Sequence, residues 1–393
     1  MCHSHFGDSN MFEPVTDVER PNERLDRSIA VLGMHASSAD RIRRLHPDVV
    51  GVLVERGLVR HFVPRKFGGV QGSFSALVPS IRALAMRCTS AAWCAAIYAV
   101  AARMAAYLPA QTQRQIWRDG PDTPICASFR ATGHASPAAG GWMLSGRWHS
   151  LSGVDFAAWA LLCIEPSGDE WAPRYAAVPM SSRRIRVIDD WHPLGMRGTG
   201  SKSIALDDVF VPRDMTFPKS ELWGGRSSHA PGPSYHVSPI AADPHLFVAA
   251  ALGAAIAALG YWSAAFGDTA PSAQAGAAYA RSAAEIDAAR LLVERACEIA
   301  DAGGLPPALT ARNARDASVA ADIVLGAVRR LAEPDGSQTP VEHGPLQRVW
   351  RDIQTLSSHI ALRPDMNFEQ YVRSAWTTDL IGHAELKTSW EAA

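Results

Sequence analysis

The strongest chemical signal lies near the C-terminus, where Arg348, Asp352, Thr355 and His359 follow a 4, 3, 4 spacing. That spacing puts a carboxylate, a hydroxyl and an imidazole on one helix face. A histidine, neutral and basic near pH 7, suits the removal of a substrate proton or the orientation of a substrate. The alternative is a histidine that caps or packs at a helix end close to Pro364. A second signal is rich in hydroxyls: in GGWMLSGRWHSLSG (residues 140–153), Ser150 and Ser152 fall on one side of a strand, because side chains alternate with period two. They could bond the edge of a flat ligand, with Gly146 and Gly153 allowing close backbone approach, or form a solvated polar face. A third is GMRGTGS (residues 195–201), whose small residues leave N–H groups that could face an anion or a carbonyl oxygen. It is neither a Rossmann nor a P-loop pattern. The fourteen histidines show no HxxxH or HExxH pairing, so no metal site is expected.

Three kinds of element must position these groups. Asp40–Gly57 has Ile42, Leu45, Val49, Val52 and Leu53 at helical spacing and closes on a glycine, and Phe74–Met86 and Ser90–Leu108 repeat the rhythm. From about Pro124 the period falls to two. The strings ICASFRA, GGWMLSGRW, DFAAWALLCI, PRYAAVPM, RRIRVIDDW and KSIALDDVFVP predict about six strands, ending near Pro212. Residues 218–244 read as a connection, and long helices follow at about 245–266, 271–302, 307–332 and 344–360. The organisation expected is an N-terminal helical domain (1–123), a middle β domain (124–217) and a C-terminal helical bundle (218–393).

Composition narrows the function classes. A chain of 393 residues is too long for one ordinary core, which argues against a small binding module. With 38 basic against 39 acidic residues, no blocks of charge and 47% hydrophobic residues, nucleic-acid binding and disorder are both disfavoured. Cys2, Cys88, Cys94, Cys126, Cys163 and Cys297 are scattered without CxxC spacing and read as reduced, buried thiols of a cytoplasmic protein. The polar, acidic first twenty residues show no signal-peptide pattern. The apolar run His245–Phe266 is long enough for a membrane span, but its alanines, Gly253 and Gly260 and its lack of flanking Lys or Arg predict a buried bundle helix.

Three strings at the seams of this organisation carry a resemblance: GLVRHFVPRKFGG (57–69), GGWMLSGRWHSLSG (140–153) and WHPLGMRGTGSKSIALDDVFVP (191–212). Over about residues 30–375 the chain resembles the acyl-CoA dehydrogenase fold, and within it the two-component flavin-dependent monooxygenases. The resemblance implies an α+β architecture with an N-terminal helical domain, a central β-barrel or sheet domain and a C-terminal four-helix bundle. It implies an enzyme that takes reduced FMN or FAD from a separate NAD(P)H-flavin reductase. With O2, acting through a flavin C4a-hydroperoxide, such an enzyme hydroxylates or N-oxidises a small aromatic or natural-product substrate. A homotetramer without nucleic-acid or membrane partners is implied as well. On this reading His359 and Ser152 are catalytic, and Ser128, Ser150, Ser152, Gly153, Thr199 and Ser201 bind the flavin, Ser152 as a donor. Ala127 would replace Ser128 if the strand register slips by one.

The competing reaction within the fold, acyl-CoA or acyl-carrier dehydrogenation with FAD, needs a glutamate to remove an α-proton. In the family it stands about eight residues after an Arg-Asp pair. Here Arg351-Asp352 leads to Ser357-Ser358-His359-Ile360, and the other family position reads Asp243-Pro244-His245-Leu246. Glu369 could serve only if the chain slips; Asp365 follows His359 as an acidic residue does in some relatives, but Arg363-Pro364 intervenes and the spacing differs, so it is left out of the catalytic set. The family's Gly-rich turn for the adenine end of FAD is missing from AEPDGSQTPVEHG (332–344), which is compatible with FMN or with loosely held reduced FAD. A non-catalytic binding protein on the same fold is the third reading. The segment 218–244, with Trp223, His229, Tyr235 and His236, is expected to set specificity.

Overall fold

The structure, a computed structural model, describes residues 23–167, 172–267, 270–333 and 344–378. Helices α1 (Glu23–Ile42), α2 (Pro47–Glu55), α3 (Phe74–Ala85), α4 (Thr89–Ala105) and α5 (Ala110–Ile116) form the first layer. Helix α4 is buried along its whole length. Its alanines allow that, since a helix enclosed on every side needs small side chains to let its neighbours approach.

Eight strands follow: β1 (Ile125–Ser128), β2 (His134–Ala138), β3 (Gly141–Leu151), β4 (Trp159–Ile164), β5 (Arg174–Pro179), β6 (Ile185–Ile188), β7 (Lys202–Pro212) and β8 (Thr216–Pro218). They form two four-stranded sheets, ordered β1-β4-β5-β8 and β2-β3-β7-β6. Two of the eight are hard to see in sequence. Strand β2 contains Pro137, which is tolerated because β2 is an edge strand, and β8 is only three residues long. Strand β4 is apolar in both phases because both of its faces are covered: Ala160, Leu162 and Ile164 point into the core between the sheets, and Leu161 and Cys163 into the helical core.

After the short α6 (Lys219–Trp223) come α7 (Pro239–Phe266), α8 (Ala273–Asp301), α9 (Pro307–Ala332), α10 (Pro345–Ser357) and α11 (Pro364–Thr378). Helix α7 begins six residues before the predicted start because Pro239 occupies its first position, and Pro244, early in the helix, removes only one backbone bond. Among the described residues α7 is the one helix long and apolar enough to cross a membrane, yet its first five turns are buried in the bundle. The segment before it is packed rather than open. The Tyr235 hydroxyl donates to the Phe62 carbonyl at 2.8 Å, and the Tyr107 hydroxyl donates to the Tyr235 carbonyl at 2.5 Å. Tyr235 is fully buried, and it anchors the segment to the first helical layer. The five described cysteines are free and buried, and burial raises their thiol pKa values. Cys2 and the segment 334–343, which holds most of the expected FAD turn, lie outside the described residues.

Candidate active site

Helix α10 supplies the frame. Its Asp352 Oδ1 accepts the Met196 N–H at 2.5 Å, and Thr355 Oγ1 accepts the Gly195 N–H at 2.9 Å. Arg351 donates to the Leu194 carbonyl at 2.8 Å and pairs with Asp40 of α1 at 2.7 Å. The approach is so close that a Cβ on Gly195 would lie 2.0 Å from the Arg351 carbonyl oxygen, so position 195 must be glycine. Met196 pays in conformation, with φ +54° in the left-handed region. Burial is the largest influence on Asp352, lifting its pKa from 3.8 to about 6 against the favourable Met196 N–H.

The N–H groups of Gly195 and Met196 serve α10, while those of Thr199 and Gly200 bond back to Met196 and Arg197 within the turn, so four of its N–H groups are engaged by the protein itself. Its side chains instead start a hydrogen-bonded row. The Thr199 hydroxyl donates to the Met196 carbonyl at 2.8 Å, Thr199 and Ser201 hydroxyls lie 2.7 Å apart, and Ser201 and Ser152 hydroxyls 2.7 Å apart. The row ends on the Trp93 indole N–H, which donates to Ser152 Oγ at 3.0 Å. All five residues are buried.

His359 follows α10 directly, at the start of a 3-10 turn over Ile360–Leu362. Its Nδ1 accepts the Ala361 N–H at 3.3 Å. The neutral ring therefore carries its proton on Nε2, which has no hydrogen-bond partner among the described residues. The imidazole sits edge-on to Trp93, with centroids 5.1 Å apart, and to Phe247 at 5.2 Å, while Trp93 and Phe247 are 4.6 Å from each other. This apolar enclosure pushes its pKa from 6.5 down to about 4, so the ring is neutral at pH 7. The predicted helix stripe is thus divided: Asp352 and Thr355 hold the loop, and His359 alone joins the aromatic pair.

The remaining site residues separate. Ser128 Oγ in β1 donates to the His149 carbonyl at 3.2 Å, which fixes the end of β1 against β3. Ser150 and Ser152 do not share a face. A bulge between Trp148 and Leu151 holds Ser150 at φ +62° with its side chain exposed, whereas Ser152 is buried. Gly153, at φ +71°, is fixed by Tyr98: its carbonyl accepts the Tyr98 hydroxyl at 2.8 Å, and a Cβ would lie 2.4 Å from that oxygen. Sequence reasoning gave Trp93 to the core and did not single out Tyr98 or Phe247; all three are buried, and in uniformly apolar helices nothing in the spacing marks a ring that also contacts a buried histidine, serine or glycine.

No free carboxylate faces His359 among the described residues. Asp243 is buried and bonds Arg103 at 2.8 Å, Glu369 is exposed and pairs with Arg373 at 2.6 Å, and Asp365 pairs with Arg363 at 2.5 Å. His35, His46 and Asp48 bring potential metal-ligand atoms within 4.8 Å of one another. Their imidazoles stack at 3.9 Å with 6° between planes, which sets their lone pairs in parallel planes, and His46 Nδ1 caps α2. That arrangement does not form a chelate.

Residues 245–364 match the family described as the acyl-CoA dehydrogenase C-terminal domain. The chain is 29% identical over 384 residues to the oxygenase component of the FADH2-dependent resorcinol hydroxylase of Rhizobium sp. (strain MTP-10005), covering 88% of this chain and 92% of the relative. Among solved structures it superimposes on 3-HSA hydroxylase from Rhodococcus sp. RHA1 with a TM-score of 0.85 at 25% identity, covering 90% and 96% of the two chains. It superimposes on XiaF from Streptomyces sp. in complex with FADH2 and glycerol with a TM-score of 0.83 at 27% identity, covering 91% and 95%.

Proposed function

We propose, from the premise that this chain belongs to the flavin-dependent monooxygenases built on the acyl-CoA dehydrogenase fold, that it hydroxylates a small phenolic ring held at the Trp93–Phe247–His359 cluster. The observation that carries this reading is the lone neutral imidazole beside a packed pair of aromatic rings. Two rings suit an aromatic substrate, and a single N–H donor suits a ring hydroxyl. The resorcinol hydroxylase relative supports a phenol over an aliphatic amine. The other reaction of the fold, acyl-thioester dehydrogenation, finds no base among the described residues at the two family positions or at Glu369, since Asp243 and Glu369 are paired with arginines.

The residues present fit a flavin ring better than a phosphate. The Ser152 hydroxyl lies buried at the end of β3 with Ser128 at the end of β1 beside it, while the turn has given the N–H groups of Gly195 and Met196 to α10. When bound, the reduced flavin supplies the activation of oxygen. The chain's own residues do the rest. Ser152 would meet the ring, backed by Thr199 and Ser201, while Ser128, bonded to the His149 carbonyl, and Gly153, bonded to Tyr98, fix the backbone beside it; Ser150 faces away. His359, through Nε2–H, orients the phenolic oxygen. It becomes a base only by giving up the Ala361 bond and moving its proton to Nδ1. Trp93 and Phe247 exclude water from the reacting carbon.

A separate NAD(P)H-flavin reductase would supply the reduced FMN or FAD, and the protein would work in the cytoplasm. Helix α11 exposes Phe368, Val372 and Trp376 at successive four-residue steps. That apolar stripe supports assembly with further copies, as a homotetramer. The test supplies chemically reduced FMN or FAD and 18O2 to the purified protein with a panel of phenols, and detects labelled catechols by mass spectrometry. Labelled product that falls at least a hundredfold in a folded His359→Ala protein supports the reading. No product, together with bleaching of bound flavin by an acyl thioester, overturns it.

A further inference from the structure

One exposed side chain is held as firmly as a buried one. His149, near the end of β3, is exposed, yet its Nδ1 lies 2.8 Å from Ser203 Oγ of β7, and its carbonyl accepts the Ser128 hydroxyl at 3.2 Å. The Ser203 hydroxyl donates to Asp190 Oδ2 at 2.6 Å, and the Ser203 N–H donates to Asp190 Oδ1 at 2.9 Å. Asp190, a carboxylate also paired with Arg147 at 2.9 Å, has no proton to give. The Ser203 proton is therefore spent on Asp190, and His149 Nδ1 must be the donor in the contact with Ser203. That fixes the tautomer of the neutral ring. Its proton sits on Nδ1, and Nε2, without a hydrogen-bond partner among the described residues, presents a lone pair.

The bulge decides which side of the sheet that imidazole occupies. Trp148, its partner Ile204 and Leu151 all point into the core between the sheets. One extra residue, Ser150, stands between Trp148 and Leu151, so His149 and Ser152 both fall on the opposite, outer side, where strict alternation would separate them. Their partners agree: Ser203 meets His149, Ser201 meets Ser152, and residues two apart share a side. His149 thus stands roughly 7 Å along the strands from Ser152. Over that step the surface opens, from the buried Ser152 and Ser201 to the exposed His149. A flavin whose ring meets Ser152, at the end closed by Trp93, leads its side chain towards the open end. That chain begins with a polyol, whose hydroxyls can all donate, and carries its phosphate farther out. Arg147, the next residue of β3 on that side, is paired with Asp190, so β3 offers a lone pair here rather than a free cation. We infer that His149 is a flavin-binding residue that accepts a hydroxyl of the ribityl chain at Nε2, with Ser203 and Asp190 as the positioning residues that set its tautomer. The inference rests on the flavin reading above and adds a contact outside the ring.

The test is an anaerobic titration of the purified protein with three reduced flavins, reading each Kd: lumiflavin, whose side chain is a methyl group, riboflavin, which adds the polyol, and FMN, which adds the phosphate. Wild type should bind riboflavin about tenfold more tightly than lumiflavin, the change expected for one hydrogen bond. His149→Leu should weaken riboflavin and FMN about tenfold each and leave lumiflavin unchanged. His149→Gln keeps an acceptor near the Nε2 position and should recover most of that loss. Ser203→Ala frees the Nδ1 proton to move to Nε2, so it should weaken riboflavin and FMN and again spare lumiflavin. A loss confined to the two flavins that carry the polyol supports the inference, since a loosened strand end weakens all three together. Affinities that fall equally for all three, or stay unchanged, in folded His149→Leu and Ser203→Ala proteins overturn it while leaving the flavin reading intact. A loss confined to FMN puts the phosphate at His149 and overturns it as well. A wild-type protein that binds none of the three overturns the flavin reading itself. If His149→Leu does not fold, Ser203→Ala decides.

Discussion

Replacing Asp352 with asparagine should make the protein more stable at neutral pH, and by an amount that depends on pH in a defined way. The carboxylate is buried beneath the 195–201 turn, and its pKa rises from 3.8 to about 6. A folded-state pKa above the unfolded one means that the native protein holds the proton more tightly. The group therefore favours folding fully below pH 3.8, and that contribution is lost as pH rises through about 6. A shift of roughly two units at ~1.4 kcal/mol each amounts to about 3 kcal/mol. Asparagine keeps the Oδ1 that accepts the Met196 N–H, so the turn should stay in place while the cost of burying a charge disappears. Urea denaturation of both proteins at intervals from pH 4 to pH 8 gives the difference in stability as a function of pH. The variant should gain about 3 kcal/mol relative to wild type across that range. A flat difference, or one that moves the other way, would refute the placement of a strained carboxylate at this clamp.

Three further changes probe other parts of the frame. Gly153→Ala forces a Cβ against the Tyr98 hydroxyl at φ +71° and should lower thermal stability by about 1–3 kcal/mol, read by calorimetry. Arg103→Met strands the Asp243 carboxylate inside the bundle and should cost about 3–5 kcal/mol, of which most returns in Arg103→Met/Asp243→Asn; denaturation of the single and double variants tests this. Glu369→Gln alters only an exposed pair with Arg373, so the hydroxylation rate should stay within twofold of wild type, whereas a dehydrogenase using Glu369 as base would lose its activity.

Periodicity made most of the architecture legible. The helices around His359 and strand β3 follow from spacing, and the connection before β3 is two residues, Ala139 and Gly140, with Gly140 at φ +80°. What spacing could not reach was any departure from regular geometry. Ser150 was expected beside Ser152 because strands alternate, and a single bulge moved it to the other side. The turn at 195–201 looked like a set of free donors because its glycines are visible in the sequence; the α10 groups that occupy Gly195 and Met196 come from more than 150 residues away. Tyr235 reads as part of a loose, polar connection until its partners, Phe62 and Tyr107, are brought to it by the fold.

The same limit explains why the site depends on α10 twice. At Asp352 and Thr355 the helix fixes Met196, and Met196 supplies the carbonyl where the hydroxyl row ends. Just past its C-terminus it presents His359 to Trp93, the residue where that row begins. Trp93 thus has its N–H directed by the β domain and its ring packed against His359 at 5.1 Å. The hydroxyl row and the His359 imidazole are therefore connected through one indole and one helix. A change at either end of the row should be felt at the other, so paired substitutions such as Trp93→Phe with Asp352→Asn should depart from additivity although the two side chains are not in hydrogen-bond contact.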